Sequence, residues 1–294
     1  MKRIFIPMLL LLTLQQVNAA ELQPQKDVPY GTHPRQVLDF YPAESDKPTP
    51  VVFYIHGGGW QGGDKKTNPK PFLDKGISVV AINYRYVKNA VADGITPPVK
   101  APLEDAARAL QFVRSKAGEW NLDKEKIGAT GGSAGACSSL WLAFHDDMAK
   151  PDSDDPIARE STRLYCAAVN GAQVTLDPMP LREWMPNYRY GAHAFNLPNL
   201  EAVIEKREEI LPWIEEYSPM THVTKDDPPI FMYYGGEVPV VGSSPKDPTH
   251  SAIMGVKLAE KLKETGVEVD LTHPGVKEPK YKSSTEYLID HLTK

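Results

Sequence analysis

Ile127-Gly128-Ala129-Thr130-Gly131-Gly132-Ser133-Ala134-Gly135 decides the fold of this chain, together with the apolar run Cys137-Ser138-Ser139-Leu140-Trp141-Leu142-Ala143-Phe144 that follows it. The first four residues read as a short buried strand and the last eight as an apolar helix. Between them lies G-x-S-x-G. Its glycines admit a turn so tight that side chains would crowd it, and the Ser133 hydroxyl is thereby pushed up beyond the sheet edge, the arrangement of a nucleophile elbow.

Earlier in the chain a second apolar run, Val51-Val52-Phe53-Tyr54-Ile55, ends in His56-Gly57-Gly58-Gly59-Trp60. Acyl transfer through a serine needs backbone N–H groups aimed at the oxyanion that develops, and glycines let the backbone come close to the substrate. A strand ending in H-G-G-G, followed later by an elbow serine, is a specific combination. On these motifs the chain resembles the α/β-hydrolases of the esterase/lipase branch, which includes hormone-sensitive-lipase-like and bacterial feruloyl or acetyl esterase-like enzymes. The resemblance implies a serine hydrolase acting on carboxylic esters, with Ser133 as nucleophile. It also implies oxyanion donors at Gly58, Gly59 and Ala134 and no metal or organic cofactor. The implied partner is an ester, small or polysaccharide-linked, with short acyl or aryl (acetyl, feruloyl) groups. Arylformamidase-like enzymes also carry an H-G-G-x-W turn, which keeps amide substrates open.

Outward from the two motifs, strand-like runs recur at 51–55, 77–82, 127–130, 164–169, 230–234 and 267–272, with helix-like segments at 103–116, 137–144 and 253–265. This alternation predicts an α/β fold with a mainly parallel central sheet and helices on both faces. Ligands of such sheets bind at the carboxyl ends of the strands, where the glycine turn and Ser133 both fall. Gln36-Val37-Leu38-Asp39-Phe40-Tyr41-Pro42 alternates as an edge strand should. Asn83-Tyr84-Arg85-Tyr86, Pro102-Leu103-Glu104-Asp105-Ala106-Ala107 and Tyr217-Ser218-Pro219 extend the resemblance over most of 30–294. It is thinnest at 145–215. An aspartate-rich stretch there (Asp146, Asp147, Asp152, Asp154, Asp155) reads as a solvated acidic loop in preference to a calcium site. A helical insertion or lid is expected over about 170–215, with Trp184, Tyr188, Tyr190, Phe195 and Trp213 as pocket or core aromatics.

Met1-Lys2-Arg3, an apolar stretch to Leu14 and Val17-Asn18-Ala19 form the basic start, short hydrophobic core and small-residue site of a secretory signal peptide, cleaved after Ala19. The apolar core is too short to span a bilayer, so no membrane anchor is expected in the mature form. The mature chain, 20–294, fits one α/β-hydrolase domain, secreted or periplasmic. Removing the two cations Lys2 and Arg3 takes the formal charge from −5 to −7, which argues against nucleic acid as a partner. Two cysteines, Cys137 and Cys166, make no disulfide scaffold and read as separate buried thiols.

A serine nucleophile needs a base, and the base an orienting carboxylate; in α/β-hydrolases they follow the serine in the order acid, histidine. The acid belongs on the loop after the 230–234 strand. That loop opens Gly235-Gly236-Glu237, and a proline-, glycine- and serine-rich stretch then leads to Asp247-Pro248; Asp247 is favoured over Glu237. The histidine is missing from its usual place, for Pro274-Gly275 is followed by Val276-Lys277-Glu278. Of the eight histidines, His56 reads as a support of its glycine loop. His33, His145, His193 and His222 precede the acid, and His291 reads as a surface residue of the terminal helix. His250, three residues after Asp247, is favoured as base, with His273 the alternative and Glu278 a poor substitute. The same gap motivates a second reading, a hydrolase fold that has lost its base and only binds an ester or carbohydrate.

Overall fold

A computed structural model, describing residues 22–294, shows one eight-stranded sheet in the order β1-β2-β4-β3-β5-β6-β7-β8. The strands are β1 (Gln25–Pro29), β2 (Val37–Tyr41), β3 (Thr49–Ile55), β4 (Ser78–Ile82), β5 (Leu122–Gly132), β6 (Cys166–Asn170), β7 (Ile230–Tyr233) and β8 (Val269–Thr272). β2 runs antiparallel to both its neighbours, β1 and β4, and β3 through β8 are mutually parallel. All six strands expected beyond β2 are present. The expectation of an edge strand at 36–42 is corrected: β2 lies one strand in, with β1 outside it. Polar Gln25-Lys26-Asp27 hid β1 from its apolar pattern, and Leu38, Asp39 and Phe40 are all buried, as an inner strand requires.

Side chains alternate across a strand, and the two faces divide accordingly. Val51, Phe53, Ile55, Ala167, Val169, Ile230 and Met232 join one core, while Val52, Cys166, Ala168 and Phe231 join the other. Over the first face pack α3 (Lys100–Ser115), α4 (Ala134–Phe144) and α8 (Ala252–Thr265); over the second pack α1 (Lys70–Leu73) and α9 (Ser284–Leu292). All eleven residues of α4 are buried, the consequence of its nearly all-apolar sequence between sheet and outer helices. Cys137 and Cys166 sit on opposite faces of the sheet and are free thiols. Burial pushes the Cys166 thiol up to about 12, so it is inert.

A short α2 (Val87–Ala92) precedes α3. Between β6 and β7 run α5 (Pro178–Trp184), a 3₁₀ turn (Ala192–Phe195), α6 (Leu200–Glu205) and α7 (Arg207–Tyr217). Trp184, Tyr188 and Phe195 of this helical stretch are buried, while Tyr190 and Trp213 are half-buried. The aspartate-rich loop folds on its own hydrogen bonds: Asp147 accepts from the N–H groups of Thr162 and Ala149, and Asp155 pairs with Arg108. His291 is corrected from a surface residue to a half-buried one, stacked on Tyr287 at 3.8 Å. The segment expected to be a signal peptide, 1–19, lies outside the described residues, and among those described no helix is long and apolar enough to cross a membrane.

Candidate active site

Register brings the carboxyl ends of four strands into line, with Ile55 of β3 beside Gly131 of β5, Gly132 beside Asn170 of β6, and Asn170 beside Tyr233 of β7. Ser133 follows directly, its N–H donating to the Asn170 carbonyl at 3.0 Å. The serine holds φ 53° and ψ −122°, a sparsely populated region for any residue with a Cβ. Such a backbone costs about 1–3 kcal/mol and persists only where the surroundings enforce it. Here the enforcement is the close approach of α4 to β3. A Cβ on Gly135 would run into the Ile55 and His56 carbonyl oxygens, so only glycine lets the helix start where the strand ends.

His250 stands against Ser133. Its Nε2 lies 2.9 Å from Ser133 Oγ, and its Nδ1 lies 2.9 Å from Asp247 Oδ2. The loop between β7 and α8 carries both residues, three positions apart. Asp247 Oδ1 accepts from the N–H groups of Thr249 and His250, folding the loop into a tight turn that returns the ring toward its own aspartate. Partial burial pushes the Asp247 carboxyl up, but the hydrogen bond and charge of the His250 ring and the two backbone N–H groups outweigh it and hold the group below the usual range. Buried Gln173 donates to the Thr249 carbonyl at 2.7 Å, fixing the loop from the β6 side. Ala252 begins α8 just beyond, which anchors the other end.

His273 is engaged locally, its Nδ1 accepting from the Gly275 N–H at 3.1 Å, while Glu237 and Glu278 are exposed. The sequence pointed to Asp247 by its place on the loop after the 230–234 strand and to His250 by its place on that same loop; nothing in it signalled Gln173, whose role depends on a contact with a residue far along the chain.

The glycine loop after β3 is held from several sides. Gly58 and Gly59 adopt φ of 102° and 62°, backbone conformations that residues with a Cβ rarely hold. His56 is 2 % exposed, donates Nδ1–H to the Gly57 carbonyl at 2.7 Å, and stacks on Tyr84 with ring centres 4.2 Å apart. Burial drives its pKa down to about 4, against the pull of the Gly57 bond, so the imidazole is neutral near pH 7 and its Nε2 lone pair faces Arg35. Tyr84 donates to the His56 carbonyl, and the Trp60 indole N–H donates to Ser138 of α4. Buried Asp105 of α3 binds the Arg85 guanidinium and backbone N–H and the Gln36 amide, which gives the Asn83-Tyr84-Arg85-Tyr86 and Pro102-to-Ala107 stretches one shared buttress. From the helical stretch after β6, Tyr190 reaches the loop, and a Cβ on Gly59 would collide with its hydroxyl. Ala134, first residue of α4, presents the N-terminal side of that helix next to Ser133.

Residues 38–248, a span that takes in the glycine loop, Ser133 and Asp247 and ends two residues before His250, match a known family model, BD-FAE. The chain belongs to the BD-FAE family. Members of this family are α/β-hydrolases of the esterase kind. The chain is 30 % identical to the probable carboxylic ester hydrolase LipM of Mycobacterium tuberculosis, over 63 % of this chain and 40 % of that protein. Among solved structures, a truncated carbohydrate esterase from gut microbiota superposes with a TM-score of 0.69 at 21 % identity, covering 93 % of this chain and 97 % of the other. An acetyl ester-xyloside bifunctional hydrolase from Caldicellulosiruptor lactoaceticus gives 0.60 at 23 %, covering 81 % and 76 %. These structures share the α/β-hydrolase fold. This BD-FAE chain spans half or less of the length of the curated relatives LipM, LipQ and the rice methylesterase ICME.

Proposed function

We propose that this BD-FAE protein is a serine hydrolase of carboxylic esters, with short-acyl groups on carbohydrate as its substrate class. The observation that carries the reading is the run of two 2.9 Å contacts from Asp247 through His250 to Ser133. Ser133 Oγ attacks the ester carbonyl as His250 Nε2 takes its proton, and Asp247 holds the ring in the tautomer with its lone pair on the serine. Negative charge collects on the former carbonyl oxygen, where the N–H groups of Gly58, Gly59 and Ala134 are the donors. Collapse of the tetrahedral intermediate breaks the bond to the alcohol, which leaves with the proton from His250. Water, deprotonated by the same nitrogen, then releases the acid and restores Ser133.

The carbohydrate part of the reading is motivated by the two structural neighbours, a carbohydrate esterase and an acetyl ester-xyloside hydrolase, and by the secretory leader expected at 1–19, which would place the enzyme outside the cytoplasm. Tyr190, close to Gly59 from the helical stretch, is the residue through which that stretch would shape the ester pocket. Hydrolysis of p-nitrophenyl acetate and of acetylated xylan by the wild type and by Ser133→Ala tests the proposal. Turnover abolished by the substitution supports it. A wild type no faster than Ser133→Ala overturns it in favour of a binding protein.

A further inference from the structure

Far from Ser133, at the opposite end of α4, two histidines and a glutamate converge from three separate segments. His145 terminates α4, Glu216 lies in the last turn of α7, and His222 follows the 3₁₀ turn after α7. One potential ligand atom from each lies within 4.8 Å of the others. An eleven-residue helix separates this cluster from the elbow, about 16 Å at 1.5 Å per residue.

The hydrogen bonds of both rings decide which nitrogens are free. His145 Nδ1 lies 2.9 Å from the Asp146 carbonyl oxygen, and His222 Nε2 lies 2.7 Å from the Glu216 carbonyl oxygen. A carbonyl only accepts, so each of these nitrogens carries its hydrogen. In the neutral ring the other nitrogen is then a lone pair. His145 Nε2 directs that lone pair at Glu216 Oε1 from 3.2 Å, an electron-rich pair of atoms that needs a cation between them. A ring whose second N–H is tied to a backbone carbonyl is also the form in which histidine binds metal, because that bond fixes tautomer and orientation.

The surroundings suit an ion. The two rings lie 4.8 Å apart, and Trp141 packs on His145 at 4.7 Å while its indole N–H donates to the Glu216 carbonyl. His145 is mostly covered, its side chain 18 % exposed, and Glu216 at 46 % leaves the cluster open to solvent. Arg163 donates to the His145 carbonyl and is itself paired with Asp227, and Lys261 donates to the Met220 carbonyl. We propose that His145, Glu216 and His222 bind a divalent transition-metal cation, with Zn²⁺ the best match, as a clamp between the end of the elbow helix and α7.

Two imidazoles and one carboxylate suit zinc, whereas Ca²⁺ and Mg²⁺ demand oxygen ligands. Water takes the fourth position. In a tetrahedral zinc site neighbouring ligand atoms stand about 3.4 Å apart, so from 4.8 Å the cluster closes by about 1.4 Å at its widest, within reach of the exposed Glu216 side chain. The clamp is structural and supplies nothing to ester cleavage.

The test is calorimetric titration of ZnCl₂ into tag-free, EDTA-dialysed full-length protein, with thermal melting alongside. The expected result is one Zn²⁺ per chain and a Tm raised by at least about 3 °C at hundredfold excess over Kd. Ca²⁺ and Mg²⁺ leave Tm unmoved. His145→Ala/His222→Ala abolishes the titration, and the near-isosteric Glu216→Gln, which keeps the packing, weakens it at least tenfold. Both variants retain p-nitrophenyl acetate turnover within twofold if the wild type has it. No heat and no shift in Tm for the wild type would show that a proton alone joins His145 to Glu216, and overturns the proposal. Undiminished zinc binding by the double variant overturns it equally, by placing the ion elsewhere.

Discussion

His250 Nε2 and Ser133 Oγ, 117 positions apart in sequence, lie 2.9 Å from each other, and the histidine is contributed by the loop that also carries Asp247. One tight turn thus supplies both partners of the serine. In the α/β-hydrolases that the sequence resembles, the histidine comes from a separate loop after the last strand; here that loop has Pro274-Gly275-Val276, and its nearest histidine, His273, accepts through Nδ1 from the Gly275 N–H. His250→Ala is therefore expected to lower kcat for p-nitrophenyl acetate by about 10³-fold or more. His273→Ala should stay within twofold. Reversal of the two effects would move the base to the last loop.

Asp247→Asn keeps the shape of the turn but removes the charge that favours Nδ1–H on His250. A fall in kcat of about 10²–10⁴-fold is expected, smaller than for loss of the serine. Because the carboxyl is held below its usual value, it remains ionised into mildly acidic solution. Its contribution is present above the ordinary carboxylate pKa and is lost as pH falls through the lower folded value.

His56 makes stability pH-dependent. The folded ring titrates near 4 and an unfolded histidine near 6.5, so the unfolded chain binds the extra proton first. Stability is complete above pH 6.5 and falls as pH drops toward 4, by about 3 kcal/mol for this one group. Urea unfolding at pH 7.5 and pH 4.5 should show a smaller difference for His56→Gln than for the wild type. Equal differences would mean that the ring is not buried in its neutral form.

Gly135→Ala places a methyl group against two carbonyl oxygens of the β3 end. Destabilisation of about 1–3 kcal/mol is expected, read as a lower urea midpoint. Turnover of p-nitrophenyl acetate should fall further than stability explains, because α4 must retreat and carry Ser133 with it.

Asp105→Ala leaves the Arg85 guanidinium and the Gln36 amide without their shared acceptor inside the protein. Loss of one member of such a buried pair costs about 3 kcal/mol. The measurement is again the urea midpoint, with Arg85→Met/Asp105→Leu expected to recover part of the loss.

Much of this was legible in the residues. Alternating apolar runs gave the parallel sheet because a buried strand between helices must be apolar on both faces, as β3, β6 and β7 are. β1 was not legible, since an outermost strand paired on one side holds itself by backbone hydrogen bonds and tolerates Lys26 and Asp27. The half-burial of His291 was equally hidden, because it depends on Tyr287 one helical turn away and on what the second sheet face brings against it.

By itself the sequence determined the elbow, the glycine loop and the alternation of strands and helices along the chain, since each is a local matter of which backbone shapes glycine permits and where apolar side chains recur. It also marked Asp247 and His250 as neighbours. Only the tertiary structure decided which histidine meets Ser133, and that His145, Glu216 and His222 converge at the far end of the same helix. Those contacts join residues far apart in the chain through loops of no regular period. Their paths are set by side chains such as Gln173, whose hydrogen bond to Thr249 exists only once β6 and the β7–α8 loop are already side by side.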